Sequence, residues 1–203
     1  MEQPLHLSNL GNLLKSRFQR LRSISDIENA ILNNQQSVDL TQDGHPEKPV
    51  YPSGLGSALS HRLSHLKSLT DLGGVLRAYS RAAKSPTGSP NVRFRAARAW
   101  AKISDEYCRS SLPGYACAID LLPRVAWLVL PVTDQHALLT EVGGIVHDAV
   151  SAAIKWGEFK IAVEWAEQGR SIVWQNMLGL RAPIDDLRAR YPHLANRIQD
   201  IVR

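Results

Sequence analysis

The chain has 203 residues, of which 44% are hydrophobic and 21% charged, and it carries a formal net charge of +5. This length and composition are those of a globular protein that buries enough apolar surface to fold without disulfides, and two cysteines are too few for a secreted disulfide framework. The N-terminus lacks the features of a signal peptide, and no run approaches the roughly 18 apolar residues of a membrane span. We therefore expect an intracellular, cytoplasmic protein with no membrane segment.

The chain begins with a predicted pair of helices. Two segments rich in proline and glycine, TQDGHPEKPVYP and later SPTGSP, should end successive pairs, because proline lacks the N–H that a continuing helix needs. Ser25 is placed to cap the second helix of the first pair. The first helix is predicted from an apolar stripe with spacings of three and four, formed by Leu7, Leu10, Leu14, Phe18 and Leu21.

The second pair repeats the first after 45 residues. In this alignment Arg17 falls on Arg62, and Thr70 becomes the cap that matches Ser25. Leu10-Gly11 falls on Leu55-Gly56, and Ser25-Asp26-Ile27 falls on Thr70-Asp71-Leu72. A period of this length is typical of helical-repeat proteins, in which stacked helix pairs share a continuous core.

Two further pairs follow the same pattern. The third starts after Pro90, with Pro113 in the first turn of its second helix and Pro123 ending or kinking that helix. The fourth starts near Thr133 and contains small residues where packed helices approach closely, namely Ala149, Ala153, Gly157, Ala162, Ala166 and Gly169. No segment shows the period-two alternation of a strand. The sequence therefore predicts an all-α fold, a tetratricopeptide-like α-solenoid of about four to five antiparallel helix pairs.

This interpretation divides the chain into repeat units and a C-terminal segment. The units cover residues 1–48, 49–90, 91–132 and 133–179. Residues 180–203 are predicted to form two short helices, at 183–190 and 192–202, that link the repeats to a downstream domain.

Three segments resemble one known family. They are LSNLGNLLKSRFQRLRSISDIENAI, the linker DGHPEKP, and AVEWAEQGRSIVWQNMLGLRAPIDDLRARYPHLANRI. These segments are similar to the tetratricopeptide arm of fungal CHAT-domain proteins, in which the arm precedes a caspase-like domain with a His–Cys dyad. The resemblance implies a non-catalytic regulatory or sensing arm that binds a protein or peptide and requires no cofactor. No catalytic residue is transferred to this chain, because the strands that would carry the dyad are absent from the pattern.

The residues that might suggest enzymatic chemistry have simpler interpretations. His61 and His65 lie four apart on a helix, but a metal site needs further ligands, so we interpret them as surface or interhelical histidines. Cys108 and Cys117 fall in helical patterns and are expected to be small buried thiols. The glycine doublets DLGGVL and EVGGIV lack the Gly-Lys-Ser/Thr of a phosphate loop. We therefore predict no catalytic, cofactor or metal site.

A basic tract at residues 77–102 is the first candidate for partner binding. No acidic residue lies between Asp71 and Asp105. A solvated helix face or a patch for an acidic partner is the favoured interpretation, and binding of nucleic acid is the alternative. The tract contains Arg77, Arg81, Lys84, Arg93, Arg95, Arg98 and Lys102.

The predicted helix at residues 162–180 is the second candidate. Trp165 and Trp174 are nine residues apart, which places them on nearly opposite sides of a helix that is apolar almost all round. Two interpretations stay open: the terminal helices cover this helix, or it forms a seam against a following domain.

Overall fold

The structure is a computed structural model that describes residues 3–67, 69–126, 132–179 and 191–194, with side chains for 3–67, 69–125, 143–172 and 191–194. Over this part of the chain the structure is helical and contains no strand. The predicted all-α class is therefore confirmed. The two helices predicted at 183–190 and 192–202 lie outside the described residues, apart from 192–194.

The helices follow one another with short connections. None of the described helices is long and apolar enough to cross a membrane. A single 3₁₀ turn, Leu69–Asp71, precedes the fourth α-helix. The α-helices of the described chain are α1 (Gln3–Leu21), α2 (Ile24–Leu40), α3 (Val50–Leu66), α4 (Leu72–Ala83), α5 (Pro90–Glu106), α6 (Leu112–Ala126), α7 (Val132–Lys155) and α8 (Phe159–Gly179).

The chain forms two compact units, Met1–Leu121 and Leu122–Arg203. In the first unit α1 packs against α2, α2 against α3, α3 against α4, and α4 against α5. In addition, α1 contacts α3 and α3 contacts α5. In the second unit α7 packs against α8, and a Cβ on Gly169 would lie 2.7 Å from the side chain of Val146. Gly169 therefore allows the close helix approach that its small size predicts.

The 45-residue repeat places equivalent residues in equivalent contacts. Gly11 of α1 faces the side chain of Asn34 in α2, and Gly56 of α3 faces the ring of Tyr79 in α4. Asn34 and Tyr79 are themselves 45 residues apart. A Cβ at Gly11 would collide with the amide of Asn34, and one at Gly56 would lie 3.0 Å from the Tyr79 ring. Both glycines thus accept a large side chain from the second helix of their pair.

An arginine–aspartate pair recurs in the same register. Arg62 Nε and Nη2 donate to the two carboxylate oxygens of Asp71 at 2.7 and 2.6 Å. Arg17 Nε donates to Asp26 Oδ2 at 2.7 Å, and its Nη2 donates to Oδ1. The hydrogen bond from Arg17 lowers the pKa of the Asp26 carboxyl. Each bidentate pair joins the last turns of one helix to the start of its partner.

The predicted helix caps were wrong by one or two residues. Helix α2 begins at Ile24 with Ser23 at its N-cap, so Ser25 lies inside the helix. Helix α4 begins after Asp71, and Thr70 lies in the preceding 3₁₀ turn. The pattern of Ser or Thr before Asp resembles a cap, but the aspartates of this pattern bind arginines of the preceding helices.

The apolar stripe predicted on α1 is only partly buried. Phe18 is fully buried, and Leu14 packs against the core cluster, but Leu10 and Leu21 are 46% and 66% exposed. The prediction was wrong for these two leucines because α1 packs mainly against α2 and α3, which cover only part of its circumference.

Cys108 is exposed, contrary to the predicted buried thiol, whereas Cys117 is half-buried in α6. Helix α5 ends at Glu106, and Cys108 adopts a left-handed conformation with φ of +52° in the turn that closes the helix. In this turn the N–H of Arg109 donates to the carbonyl of Ser104 at 2.7 Å. The turn carries Cys108 away from the packed face.

The linkers after the first and second helix pairs pack against each other. Thr87 Oγ1 donates to the carbonyl oxygen of His45 at 3.0 Å. Gly88 has φ of +88°, and a Cβ there would lie 2.6 Å from the carbonyl oxygen of Pro46 and 2.7 Å from Pro49 Cδ. A side chain at this position is therefore excluded both by backbone conformation and by space.

Candidate binding site

A row of polar side chains joins α1 and α3. Lys15 Nζ donates to Ser57 Oγ at 3.1 Å and to Asn12 Oδ1 at 3.4 Å. Farther along the two helices, Gln19 Nε2 lies 2.9 Å from His61 Nε2. We call these five residues the polar seam. They present amide, hydroxyl, imidazole and ammonium groups on rigid helices, which suits them to hydrogen bonding with a ligand.

Two residues of the polar seam, Lys15 and His61, have lowered pKa values. Burial lowers the pKa of the Lys15 ammonium. The pKa of His61 is lowered first by burial and further by the nearby charges of Lys15 and Arg22. Both shifts disfavour the protonated form, so an anionic or hydrogen-bond-accepting ligand would relieve them.

The basic tract divides into exposed and engaged cations. Arg93 Nε donates to the carbonyl of Ala83 at 3.3 Å, and the Lys84 ammonium lies 5.1 Å from the centre of the Trp100 ring. Arg98 lies over the Phe94 ring at 5.7 Å. The remaining cations of the tract are exposed to solvent, namely Arg77 and Arg81 on α4 and Arg95 and Lys102 on α5.

A surface pocket of about 290 Å³ lies where the end of α4 meets the linkers. We call it the linker pocket. Inside it, Lys48 Nζ lies 3.3 Å from the carboxylate of Asp43 and also donates to the carbonyl of Thr41. The residues that line the pocket are Asp43, Lys48, Ser80, Arg81, Lys84, Ser85 and Pro86.

The two predicted tryptophan contacts have different positions. Trp165 is only 8% exposed in α8, so its indole belongs to the packed interior of this unit. Trp174 lies in α8, but its side chain is outside the described residues. Among the described side chains of the α7–α8 hairpin, the large apolar ones that are exposed are Ile154, Trp156, Phe159 and Val163.

Three of the residues that might suggest enzymatic chemistry, Cys117, His61 and His65, have defined surroundings in the described part of the chain. Burial raises the pKa of the Cys117 thiol, which opposes formation of a nucleophilic thiolate. His61 bonds to Gln19, whereas the ring of His65 meets the Phe18 ring edge-on at 5.2 Å. No group of three or more His, Cys, Asp or Glu among the described residues is placed to hold a metal ion.

Comparison of the chain with protein-family models and with curated proteins gives no match. The function is therefore argued from the surfaces themselves.

Most of the polar seam was not predicted from the sequence. His61 was considered, but Asn12, Lys15, Gln19 and Ser57 were not. One signal was present: polar residues recur at positions 12, 15 and 19, which fall on one face of α1. The bonds to α3 join residues 42 positions apart, and this offset differs from the 45-residue repeat that guided the alignment.

Proposed function

We propose that the chain is a non-catalytic protein-binding scaffold, a tetratricopeptide-like solenoid in which α1, α3 and α5 line the inner surface. It serves as the regulatory or sensing arm of a CHAT-type caspase-like domain. The contacts of α1 with α3 and of α3 with α5 support an inner row made of the first helix of each pair. The recurring Gly11–Asn34 and Gly56–Tyr79 contacts support a repeating unit of two helices.

The polar seam is the observation that carries the proposal. An extended peptide exposes backbone N–H and C=O groups that need partners, and Gln19, Ser57 and His61 supply both donors and acceptors on adjacent helices. Lys15 adds a positive charge whose burial favours contact with an acceptor. The ligand that suits this surface is an extended peptide segment with acidic side chains.

Peptide selection provides the test. Peptides from a random display library that bind the wild-type chain should bind Lys15→Ala and Gln19→Ala about tenfold more weakly, because a hydrogen bond to a charged group contributes about 1.5–3 kcal/mol. Arg20→Ala is the matched control, since Arg20 is an exposed cation of the same helix outside the polar seam. Equal binding by wild type and Lys15→Ala, or equal weakening by Arg20→Ala, would contradict the proposed site.

The link to a caspase-like domain has its own test. The reading frame beyond the codon for Arg203 should encode strands that carry a His–Cys pair. A continuation without such a pair would remove the regulatory part of the proposal and leave the peptide-binding part intact.

The basic tract supports a second candidate function, binding of an acidic partner or of nucleic acid. Arg77, Arg81 and Arg95 are exposed and available to such a ligand. The tract offers little aromatic surface on which nucleic-acid bases could stack, because Phe94 is buried and Lys84 covers a face of Trp100. An acidic protein is thus the better fit. Retention on immobilised polynucleotide with a steep salt dependence, and none on an acidic peptide, would favour nucleic acid instead.

A further inference from the structure

The linker pocket contains a buried hydroxyl that lacks a partner. Ser85 is 5% exposed, and its Oγ makes no hydrogen bond with any described residue. Burying a hydroxyl without a partner is unfavourable, so such a group is a candidate for contact with a ligand. Ser85 also lines the pocket, but its Oγ is covered by neighbouring atoms, so a ligand reaches the hydroxyl only if the side chain turns toward the open space.

The lining of the pocket has an excess of positive charge. Lys48, Arg81 and Lys84 line it, and Asp43 is its one acidic lining residue. The Asp43 side chain is 96% exposed, and its carboxylate is 3.3 Å from the Lys48 ammonium. Because it is so exposed, Asp43 can leave Lys48 at little cost when a stronger anion enters.

The end of α4 does not repel an anion as a bare helix C-terminus would. The exposed carbonyls at a helix C-terminus carry partial negative charge. Here the Ala83 carbonyl accepts a hydrogen bond from Arg93, and the Ser80 carbonyl accepts one from the backbone N–H of Lys84 at 3.0 Å. The hydrogen bond from Arg93 therefore offsets part of the negative partial charge beside the pocket.

We infer that the linker pocket binds the dianionic phosphate of a phosphate monoester. Arg81 offers a guanidinium fork, Lys48 and Lys84 offer ammonium groups, and Ser85 holds a covered hydroxyl that a change of side-chain rotamer would add to them. A carboxylate has two oxygens for these four donor groups, whereas a phosphate monoester has three terminal oxygens and up to twice the charge. This site is separate from the polar seam, so the inference goes beyond peptide binding and does not depend on it.

Calorimetric titration of the full chain tests the site. The probes are N-acetyl-phosphoserine amide, inorganic phosphate, N-acetyl-glutamate amide and a single-stranded oligonucleotide. We expect the two phosphate dianions to bind more tightly than the glutamate derivative. Tighter binding of the phosphoserine derivative than of inorganic phosphate would support a phosphate monoester as the ligand, and equal or tighter binding of inorganic phosphate would overturn that identification.

Four variants locate the binding. Arg81→Ala should weaken binding about tenfold or more, because it removes a bidentate charged contact. Arg77→Ala is the control, since Arg77 is exposed one turn away on the same helix and does not line the pocket. Ser85→Ala should weaken binding severalfold without loss of stability, because its hydroxyl has no partner to lose. Asp43→Asn should strengthen binding, because it removes the competing carboxylate.

Three results would overturn the inference. The first is no measurable binding of either phosphate probe by wild type. The second is equal weakening by Arg77→Ala and Arg81→Ala, which would indicate only a general charge effect. The third is equal or tighter binding of the glutamate derivative or the oligonucleotide. Far-ultraviolet circular dichroism checks that each variant is folded.

Discussion

Replacing Gly114 by alanine tests the packing of α6 on α5. Gly114 is the third residue of α6, and a Cβ there would lie 2.6 Å from the backbone nitrogen of Ala101 and 2.8 Å from its Cα. Carbon atoms in good contact are about 3.5–4.0 Å apart. The two helices would have to separate by about 1 Å at this point, since a backbone obstacle cannot be relieved by a change of rotamer.

Two effects of opposite sign determine how much Gly114→Ala changes the free energy of unfolding. Overpacking costs about 1–3 kcal/mol, and replacing glycine by alanine inside a helix gains at most about 1 kcal/mol. Because backbone atoms of α5 are involved, we expect the upper part of the first range and a net loss of about 1–2 kcal/mol in the free energy of unfolding. Gly73→Ala is the control, because Gly73 is also near a helix start and a Cβ there would meet only the mobile end of Arg77, at 3.3 Å.

Urea unfolding followed by circular dichroism at 222 nm measures both variants. Gly114→Ala should lower the midpoint, and Gly73→Ala should leave it unchanged or raise it slightly. A Gly114→Ala variant as stable as wild type would refute the close helix contact. An equal loss for Gly73→Ala would show that glycine matters at helix starts for another reason.

Two further changes test the repeat. Asp26 has a lowered pKa in the folded chain, so its pairing with Arg17 contributes stability above a pH of about 4, which is lost as the pH falls through the folded pKa. Asp26→Asn should therefore flatten the fall in urea midpoint between neutral and acidic pH, whereas Asp39→Asn, at an exposed position of the same helix, should not. Leu63→Ala should reduce the free energy of unfolding by about 2–5 kcal/mol, because Leu63 is buried, and Leu66→Ala, at an exposed position of the same helix, should change it little.

The sequence was sufficient to predict the helical class and the register of the first two pairs. A duplication retains pairs of residues that must meet, and the alignment of Arg17 with Arg62 and of Asp26 with Asp71 corresponds to two equivalent ion pairs in the structure, although the ion pairs themselves were not predicted. The helix limits were less accurate, because the same Ser-Asp pattern is compatible with a cap and with an interhelical salt bridge. Tertiary contact decided between them.

Most features of the candidate sites could not be predicted from the sequence. Exposure of the basic residues depends on which helix face each occupies, and Arg93 and Arg98 are used within the fold while Arg81 is free to solvent. The linker pocket combines two segments about 40 residues apart, around Lys48 and Ser85. These two segments come together because the linkers pack against each other, and no local sequence pattern predicts that packing.

The contact of Gly88 with Pro46 and Pro49 has a mechanical consequence. At this corner the two linkers are in close contact. Bending the second helix pair toward the first would therefore force packed atoms closer together. We therefore expect this corner to resist closure of the angle between the first two helix pairs.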